Sequence, residues 1–305
     1  MDKEVKQSDI LVSVIIATYH RDKELYNALF SLTKQTYKYM EVIVVDDNAD
    51  AEWSLKVSEH IEKIRKESCL IINYIRNEKN LGSAATRNKG IFEARGQYVT
   101  FLDDDDIYLP EKIEMQLNDM FNSEADYGLT DLYLYNETGD VADKRIRSYI
   151  SSTKTEDLMR YHLLYHMTGT DTLMFKTEYL KKIGGFPGID VGDEFYLMKE
   201  AILGGGKCVY SPHCFVKAYI HTGENAGLSS GQRKIDGENA LHQEKKKYFD
   251  FVSKKDIKYI EMRHFAVLAF AELRRKGFMK FILYSIKAFF YAPVKFLKLI
   301  VTSKS

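Results

Sequence analysis

The chain has 305 residues, and its 44 Lys and Arg balance its 44 Asp and Glu, so the formal net charge is zero. This length suits one large domain, or a main domain with an appendage. A balanced charge provides no overall positive field, so we expect no nucleic-acid partner, and any basic surface is local.

The cysteines and the N-terminus indicate the compartment. Cys69, Cys208 and Cys214 form no C-x-x-C pair, which is typical of a reducing environment without structural disulfides. The first ten residues, MDKEVKQSDI, are too polar for a secretory signal peptide. No run reaches the roughly 18 apolar residues of a spanning helix. We therefore expect a cytoplasmic protein.

The first hundred residues alternate apolar runs with helical patterns. Runs that are apolar on both faces and separated by helices predict a mostly parallel sheet covered on two sides, in an α/β, Rossmann-like fold. The predicted strands are 11–17, 41–47, 69–75 and 97–103, and the predicted helices are about 22–34, a segment that ends near 67, and 83–94.

After Pro110 the pattern becomes mixed α+β. The segment 126–150 predicts two strands joined by a turn at 136–140, because turn-forming residues separate two β-prone runs. The further predicted elements are a helix near 154–166, a strand at 172–175, a helix at 193–203 and a strand at 214–220. From about residue 231 the chain is predicted to be helical.

The C-terminal segment combines basic and aromatic residues. KFILYSIKAFFYAPVKFLKLIV (280–301) has lysines at 280, 287, 295 and 298, and Pro293 predicts a break in the helix. Such a helix is typical of a membrane interface, where the chain would be peripheral on the inner face of the plasma membrane. A helical hairpin packed on the protein, with its lysines in solvent, explains the pattern equally well.

Two acidic clusters follow predicted strands. Asp46 and Asp47 close the second strand, and the four aspartates 103–106 close the fourth. The carboxyl ends of parallel strands form one edge of the sheet, so the two clusters are expected to line one crevice. A divalent cation that bridges to a diphosphate would make so many carboxylates tolerable there. Some of them, such as Asp47 and Asp106, are also candidates to cap the following helices.

Four segments resemble, in the right order, successive motifs of family 2 glycosyltransferases. The resemblance covers about residues 11 to 222 and implies the GT-A fold, in which a nucleotide-binding half (here about 11–110) joins an acceptor half (about 111–230) in one domain, 1–230. A C-terminal helical extension, 231–305, lies outside it. The segments are VSVIIATYHR (12–21), VIVVDDNAD (42–50), NLGSAATRNKGIFEARGQYVTFLDDDD (80–106) and GIDVGDEFYLMKEAILGG (188–205).

The resemblance implies where the nucleotide binds. Tyr19 would stack on the base, in the same loop region as the further nucleotide contacts Ala17 and Arg21. Asp47 would accept a hydrogen bond from the uracil imide, with Asp46 in support.

Arg87 and Asn88 match an Arg-Asn pair that the family places near the nucleotide loops. Arg87 is expected either to contact the nucleotide or to compensate the buried acids; the residues leave both roles open.

The resemblance also implies a Mn²⁺ or Mg²⁺ site. Asp103 and Asp105 match the family's Asp-x-Asp motif, with Asp105 as the direct ligand and Asp103 or Asp104 near the ribose or a metal-bound water. Asp106 would cap the helix that begins near Pro110 or support the site from behind. His221 is a candidate third ligand or diphosphate contact.

The catalytic base is expected at the start of a helix, about eleven residues before a glycine. Asp193 stands eleven before Gly204, which selects it over Glu194. The family more often has Glu-Asp at this point, where this chain has Gly192 and Asp193. In an inverting transfer this carboxylate takes the proton of the acceptor hydroxyl.

The predicted function is metal-dependent, inverting transfer from a nucleotide-diphosphate sugar, with a UDP-sugar expected, to a saccharide or lipid-linked saccharide in cell-surface glycan synthesis. One alternative is a sugar-phosphate nucleotidyltransferase, but that class wants a glycine-rich basic loop after the first strand, and ATYHRDKELY (17–26) contains no glycine. Another is a non-catalytic relative that binds nucleotide sugars. The three readings differ in whether any acceptor is glycosylated.

Overall fold

The first four predicted strands are present in the computed structural model, which describes residues 7–136, 138–189, 192–220 and 231–302. They alternate with three helices, as predicted, and their ends differ from the predicted ones by a few residues. The elements are β1 (Val12–Thr18), α1 (Lys23–Thr33), β2 (Met40–Asp46), α2 (Ala51–Glu67), β3 (Ile71–Arg76), α3 (Ser83–Glu93) and β4 (Tyr98–Phe101).

These strands form the centre of a mostly parallel sheet. β1 pairs in parallel with β2 on one side and with β4 on the other, and β3 lies at the edge beyond β2. Every residue of β2 is buried, since helices cover both faces of the sheet. The predicted parallel α/β core is confirmed.

The second half contributes strands to this sheet and to a smaller one. The next elements are β5 (Ile107–Tyr108), α4 (Lys112–Asn122), β6 (Tyr127–Thr130), β7 (Leu132–Tyr135), β8 (Val141–Arg145), α5 (Thr155–Tyr165), β9 (Leu173–Lys176), α6 (Thr177–Lys182), α7 (Asp193–Leu203), β10 (Cys208–Ser211) and β11 (Val216–Tyr219). The large sheet has the order β10-β6-β9-β4-β1-β2-β3, with β9 antiparallel to both neighbours. The small sheet has the order β5-β11-β7-β8.

The segment predicted as two strands is three, because the chain changes sheets at Asp131. β6 lies in the large sheet and β7 in the small one. The Asp131 carboxylate fixes the change, since its Oδ1 accepts hydrogen bonds from the Arg147 N–H and the Tyr210 hydroxyl, each at 2.8 Å. The predicted turn at 136–140 joins β7 to β8, with the Asp140 N–H donating to Asn136 Oδ1.

The C-terminal residues are helical, as predicted. The helices are α8 (Gly231–Lys246), α9 (Lys254–Arg274), α10 (Phe278–Tyr291) and α11 (Pro293–Thr302). Pro293 is the first residue of α11, so the break falls where it was predicted. None of the helices in the described ranges combines the length and the apolar character needed to cross a membrane.

The described residues group into two units. One holds those of Met1–Thr155 and Met167–His221, and the other those of Glu156–His166 and Thr222–Ser305. The sequence predicted a boundary between domain and extension at residue 230. In this grouping, α5 belongs with the C-terminal helices. Its Arg160 guanidinium donates two hydrogen bonds to the Asp256 carboxylate, at 2.8 and 3.0 Å.

Candidate active site

The loops after β1 and β4 meet at the carboxyl edge of the large sheet, because these strands are neighbours. The Tyr19 N–H donates to Asp104 Oδ2 over 3.1 Å, and Arg21 Nη2 lies 2.6 Å from Asp105 Oδ2. Burial, and next the charge of Asp105, raises the pKa of Asp104 to about 7. Ala17 lies in β1 and is partly exposed. The candidate nucleotide loop and the acidic run therefore lie together.

Tyr19 begins a column of three aromatic rings. Its ring stacks on His20 at 4.0 Å between centroids, and His20 stacks on Trp53 at 4.9 Å. Tyr19 is 47% exposed, so one side of the column is open to a further ring. Such a surface suits a nucleobase, since every base offers a π-face. Tyr19 was predicted from the sequence, whereas His20 and Trp53 were not.

Asp47 holds the loop that leads into α3. Its Oδ1 accepts hydrogen bonds from the Leu81 N–H and from Asn77 Nδ2, both at 2.8 Å, and its Oδ2 accepts from the Gly82 N–H at 2.9 Å. A carboxylate has about four acceptor positions, so Oδ2 can accept one more hydrogen bond. The carboxylate is buried, at 3% exposure, and supports the N-terminus of α3.

Asp46 is fully buried beneath that loop. Its carboxylate accepts hydrogen bonds from Asn48 and from the Tyr74 hydroxyl, at 2.6 to 2.9 Å. The side chain therefore has no surface with which to contact a ligand directly, and it can support Asp47 only through the loop.

Arg87 links the two halves of the crevice. Its Nη2 lies 2.6 Å from Asp103 Oδ1, and its Nη1 lies 3.2 Å from Asp193 Oδ2. The guanidinium carbon lies 5.3 Å from the centre of the buried Phe186 ring. Asn88 fixes that ring by pairing with both backbone groups of Phe186, at 2.6 and 2.8 Å. Arg87 compensates two acids that are far apart in the sequence.

Asp193 and Glu194 point to different partners. Asp193 opens α7, and Oδ2 of its largely buried carboxylate faces Arg87. Burial, partly offset by the charge of Arg87, raises its pKa to about 6. The Glu194 carboxylate instead accepts hydrogen bonds from the N–H groups of Gly169 and Thr170, at 2.8 and 3.2 Å, and from the Thr170 hydroxyl. Of the two acids, Asp193 lies beside the donor-side acids.

Three carboxylates come together beneath the edge of the sheet. Asp103, Asp106 and Asp171 each bring one carboxylate oxygen to within 4.8 Å of the others. Asp171 Oδ1 also accepts the Asp103 N–H at 2.6 Å, and Asp106 Oδ1 accepts the Tyr219 N–H at 2.9 Å. Burial first, and then the charge of neighbouring acids, raises the pKa of Asp106 and of Asp171 well above the usual range. This donor set favours a hard cation or a shared proton.

This grouping differs from the ligand set expected from the sequence. Asp105 pairs with Arg21 and is not one of the three grouped acids, and His221 lies outside the described residues. Asp106 caps no helix, because α4 begins after Glu111 and the Asp106 carboxylate turns to β11. Asp171 is not among the ligands expected from the sequence, since nothing in its local sequence indicates that the chain before β9 lies beside Asp103.

Residues 13–184, more than half of the chain, match the family model of Glycosyl transferase family 2. Among curated relatives, the uncharacterized glycosyltransferase MJ1057 of Methanocaldococcus jannaschii is 35% identical over 57% of this chain and 58% of its own length. WfgD of Escherichia coli, a UDP-Glc:alpha-D-GlcNAc-diphosphoundecaprenol beta-1,3-glucosyltransferase, is 32% identical over 39% of this chain and 44% of its own. The chain thus spans less than two thirds of either relative.

Solved glycosyltransferase structures share the fold. TarS 1-349 of S. aureus in complex with UDP-GlcNAc superposes with a TM-score of 0.57, at 18% identity over 92% of this chain and 91% of that one. The mannosyltransferase PcManGT of Pyrobaculum calidifontis, in complex with GDP-Man and Mn²⁺, gives 0.60 at 16% identity over 96% and 79%. The predicted GT-A fold is confirmed.

Proposed function

Because the chain belongs to glycosyl transferase family 2, we propose that it transfers a sugar, with inversion, from a nucleotide-diphosphate sugar to a saccharide or lipid-linked saccharide. The observation that carries the proposal is the position of Arg87 between Asp103 and Asp193. One guanidinium holds an acid of the donor-side run and an acid at the start of the acceptor-side helix. A crevice of this kind can hold donor and acceptor at once.

Asp193 is the proposed base. The acceptor hydroxyl gives its proton to the Asp193 carboxylate as the oxygen attacks the anomeric carbon, and the bond from that carbon to the nucleotide diphosphate breaks on the opposite face. A pKa of about 6 leaves the carboxylate ionised at neutral pH yet more basic than an exposed aspartate. Arg87 keeps the carboxylate oriented through its 3.2 Å contact.

The donor side is proposed to bind the nucleotide through Tyr19 and Asp47. The open face of Tyr19 receives the base, and the remaining acceptor position on Asp47 Oδ2 suits an imide N–H such as that of uracil. UDP is therefore the expected nucleotide. The TarS complex with UDP-GlcNAc and the UDP-Glc in the name of WfgD support this choice.

A Mn²⁺ or Mg²⁺ ion fits the acids at this edge, because carboxylate oxygens are hard ligands and the raised pKa values of Asp106 and Asp171 mark a site that favours added positive charge. The geometry favours Asp103, Asp106 and Asp171 as its holders, and the sequence motif favours Asp103 and Asp105. Asp103 belongs to both sets. When bound, the ion would supply charge neutralisation for the departing diphosphate.

The proposed acceptor is a saccharide of a cell-surface glycan, carried free or on a lipid diphosphate. Support comes from the diphosphoundecaprenol acceptor in the name of WfgD. The nucleotidyltransferase alternative has no support in the family match, which is to glycosyltransferases.

A thermal-shift panel tests the donor proposal. UDP-, GDP-, CMP- and dTDP-sugars are compared, each with and without Mn²⁺, and we expect the largest stabilisation with a UDP-sugar and Mn²⁺. Stabilisation by another nucleotide would overturn the UDP assignment, and equal shifts with EDTA would overturn the metal. A donor that binds but is never transferred to any glycan acceptor would favour the non-catalytic reading.

A further inference from the structure

The outer side of α10 and the start of α11 carry a stripe of exposed apolar side chains. On α10 the stripe runs through Met279, Leu283, Ile286 and Phe290, at spacings of four, three and four residues, which places them on one helix face. Met279 is 81% exposed and Phe290 is 79% exposed. The stripe is widened by Ile282 and Phe289 and continues into α11 with Val294 and Leu297.

The opposite side of α10 is already used for packing. Ala288 is fully buried, and Phe265 of α9 stacks near Tyr284 and Tyr291 of α10, at 6.1 and 5.7 Å between ring centroids. α11 is fixed in the same way by the buried Phe296. α10 therefore packs on α9 through its other face, and the side chains of the stripe remain exposed and available for a partner.

Positive charge borders the stripe. Residues 273–305 contain eight lysines and arginines and no aspartate or glutamate. Lys280 and Lys287 are seven residues apart and so lie on the same side of α10. The Lys287 ammonium lies 5.2 Å from the centre of the Phe265 ring, and Lys280 lies 3.6 Å from the buried Glu272. Both lysine stems thus follow the line between the packed face and the stripe.

We propose that this stripe, together with its basic border, docks the protein on the surface of a bilayer that contains anionic lipids. A contiguous patch of exposed aliphatic and aromatic side chains marks a surface that becomes buried when it binds a partner or a membrane. Lys280 and Lys287 along one edge, in a segment (273–305) without aspartate or glutamate, complement an anionic headgroup layer, although Lys280 also pairs with Glu272. Long lysine stems can lie along the apolar boundary while their ammonium groups stay at the headgroups.

The same contacts favour a bilayer over a protein partner. The centres of protein interfaces are depleted of lysine, and a specific protein partner would need acids placed opposite each ammonium. A lipid surface needs no such register, because its headgroups move to meet the charges. The helices would lie parallel to the surface, since α10 keeps its inner side on α9 along its length.

Vesicle flotation of the full chain tests the apolar stripe. We expect the wild type to float with vesicles of phosphatidylcholine mixed with phosphatidylglycerol, and the Leu283→Gln/Phe290→Gln variant to bind at least about tenfold more weakly. Leu55→Gln/Phe92→Gln is the matched control, because it removes a leucine and a phenylalanine that are 58% and 78% exposed on α2 and α3. The control should float like the wild type. All variants are checked by circular dichroism.

The basic border is tested separately. Lys280→Gln/Lys287→Gln should weaken binding to the anionic vesicles by about fivefold for each lysine, and high salt should have a similar effect. The control Lys63→Gln/Lys66→Gln removes two lysines of α2 and should bind the anionic vesicles like the wild type. Vesicles of phosphatidylcholine alone should bind the wild type more weakly.

Three results would overturn the docking proposal. They are no flotation of the wild type, equal flotation of the stripe variant, and self-association that disappears in the stripe variant while no vesicle is bound. The last would make the stripe an interface between protein chains. Flotation requires neither a sugar donor nor an acceptor. The docking proposal can therefore fail while the glycosyl transfer proposal stands, and the transfer proposal can fail while docking stands.

Discussion

Arg87 touches Asp103 with one nitrogen, at 2.6 Å, and Asp193 with the other, at 3.2 Å. The three side chains come from α3, from the loop after β4 and from the first residue of α7. Because the guanidinium side chain is only 12% exposed, solvent screens these contacts weakly. The pair of contacts therefore fixes the distance between the two acids, and the charge of Arg87 offsets part of the effect of burial on the pKa of Asp193.

Removing the Arg87 charge should destabilise the protein. In Arg87→Gln, the largely buried Asp193 carboxylate and the partly exposed Asp103 carboxylate lose their common partner, so we expect the free energy of unfolding in urea to fall by about 3 kcal/mol. Arg145→Gln is the control, since Arg145 pairs with Asp143 on the surface, where an ion pair contributes about 0–1 kcal/mol. Equal losses in the two variants would contradict a special role for Arg87.

The pH dependence of transfer should report Asp193. The proposed base must be ionised, and its pKa is raised to about 6. Transfer should therefore be constant above neutral pH, half-maximal near pH 6 and about tenfold slower for each further pH unit below. Measured kcat/KM over this range tests the expectation. In a mildly destabilised Arg87→Lys variant, where the charge is retained but the paired geometry is lost, we expect the midpoint to move upward.

Exchange of the neighbouring acids should separate their roles. Asp193→Asn should bind UDP normally in calorimetry and lose transfer by several orders of magnitude. Glu194→Gln should retain the base, and any loss should follow from the loop at Gly169 and Thr170 that Glu194 holds. If Glu194→Gln abolished transfer at full stability while Asp193→Asn remained active, Glu194 would be the base.

Neutralising an acid of the cluster should have opposite effects on stability in the absence and in the presence of metal. A carboxyl group whose folded pKa is raised destabilises the fold at pH values above its unfolded pKa, so Asp106→Asn should stabilise the metal-free protein at neutral pH. The same variant should lose most of the stabilisation by Mn²⁺, as read from thermal unfolding. Asp105→Asn is the comparison. If only Asp105→Asn lost the Mn²⁺ response, the ligand set expected from the sequence motif would be correct.

Tyr19 should contribute to nucleotide affinity through stacking. Tyr19→Ala removes the open ring of the aromatic column, and we expect UDP binding to weaken by about 1–3 kcal/mol in calorimetry. Tyr39→Ala serves as the control, because Tyr39 is similarly exposed, at 52%, outside the crevice. Unchanged affinity in Tyr19→Ala would place the base elsewhere.

Much of the fold follows from the sequence by itself. Runs such as β2, apolar on both faces, must be buried on both faces, and the alternation with helices makes the sheet parallel. The order of the four motifs identified the family, and the family match confirms it. The helical C-terminus and its break at Pro293 were also readable, because proline begins a helix but does not continue one.

Contacts between residues far apart along the chain could not be predicted from the sequence. Nothing local to Asp131 indicates that the chain changes sheets there, since its partners Arg147 and Tyr210 lie far along the chain. For the same reason the sequence did not indicate that α5 packs with the C-terminal helices, where Arg160 meets Asp256 and Arg263 donates to the Leu164 carbonyl.

The four aspartates 103–106 show most clearly what the sequence determines and what only the tertiary structure decides. The sequence determined that they follow a buried strand and that so many carboxylates need positive charge nearby. Only the tertiary structure decided how that charge is shared, by bringing Arg21 to Asp105 and Arg87 to Asp103 and by adding Asp171 to the cluster. The physical reason is that local patterns determine burial and strand direction, whereas ion pairing depends on distances that exist only after the chain has folded.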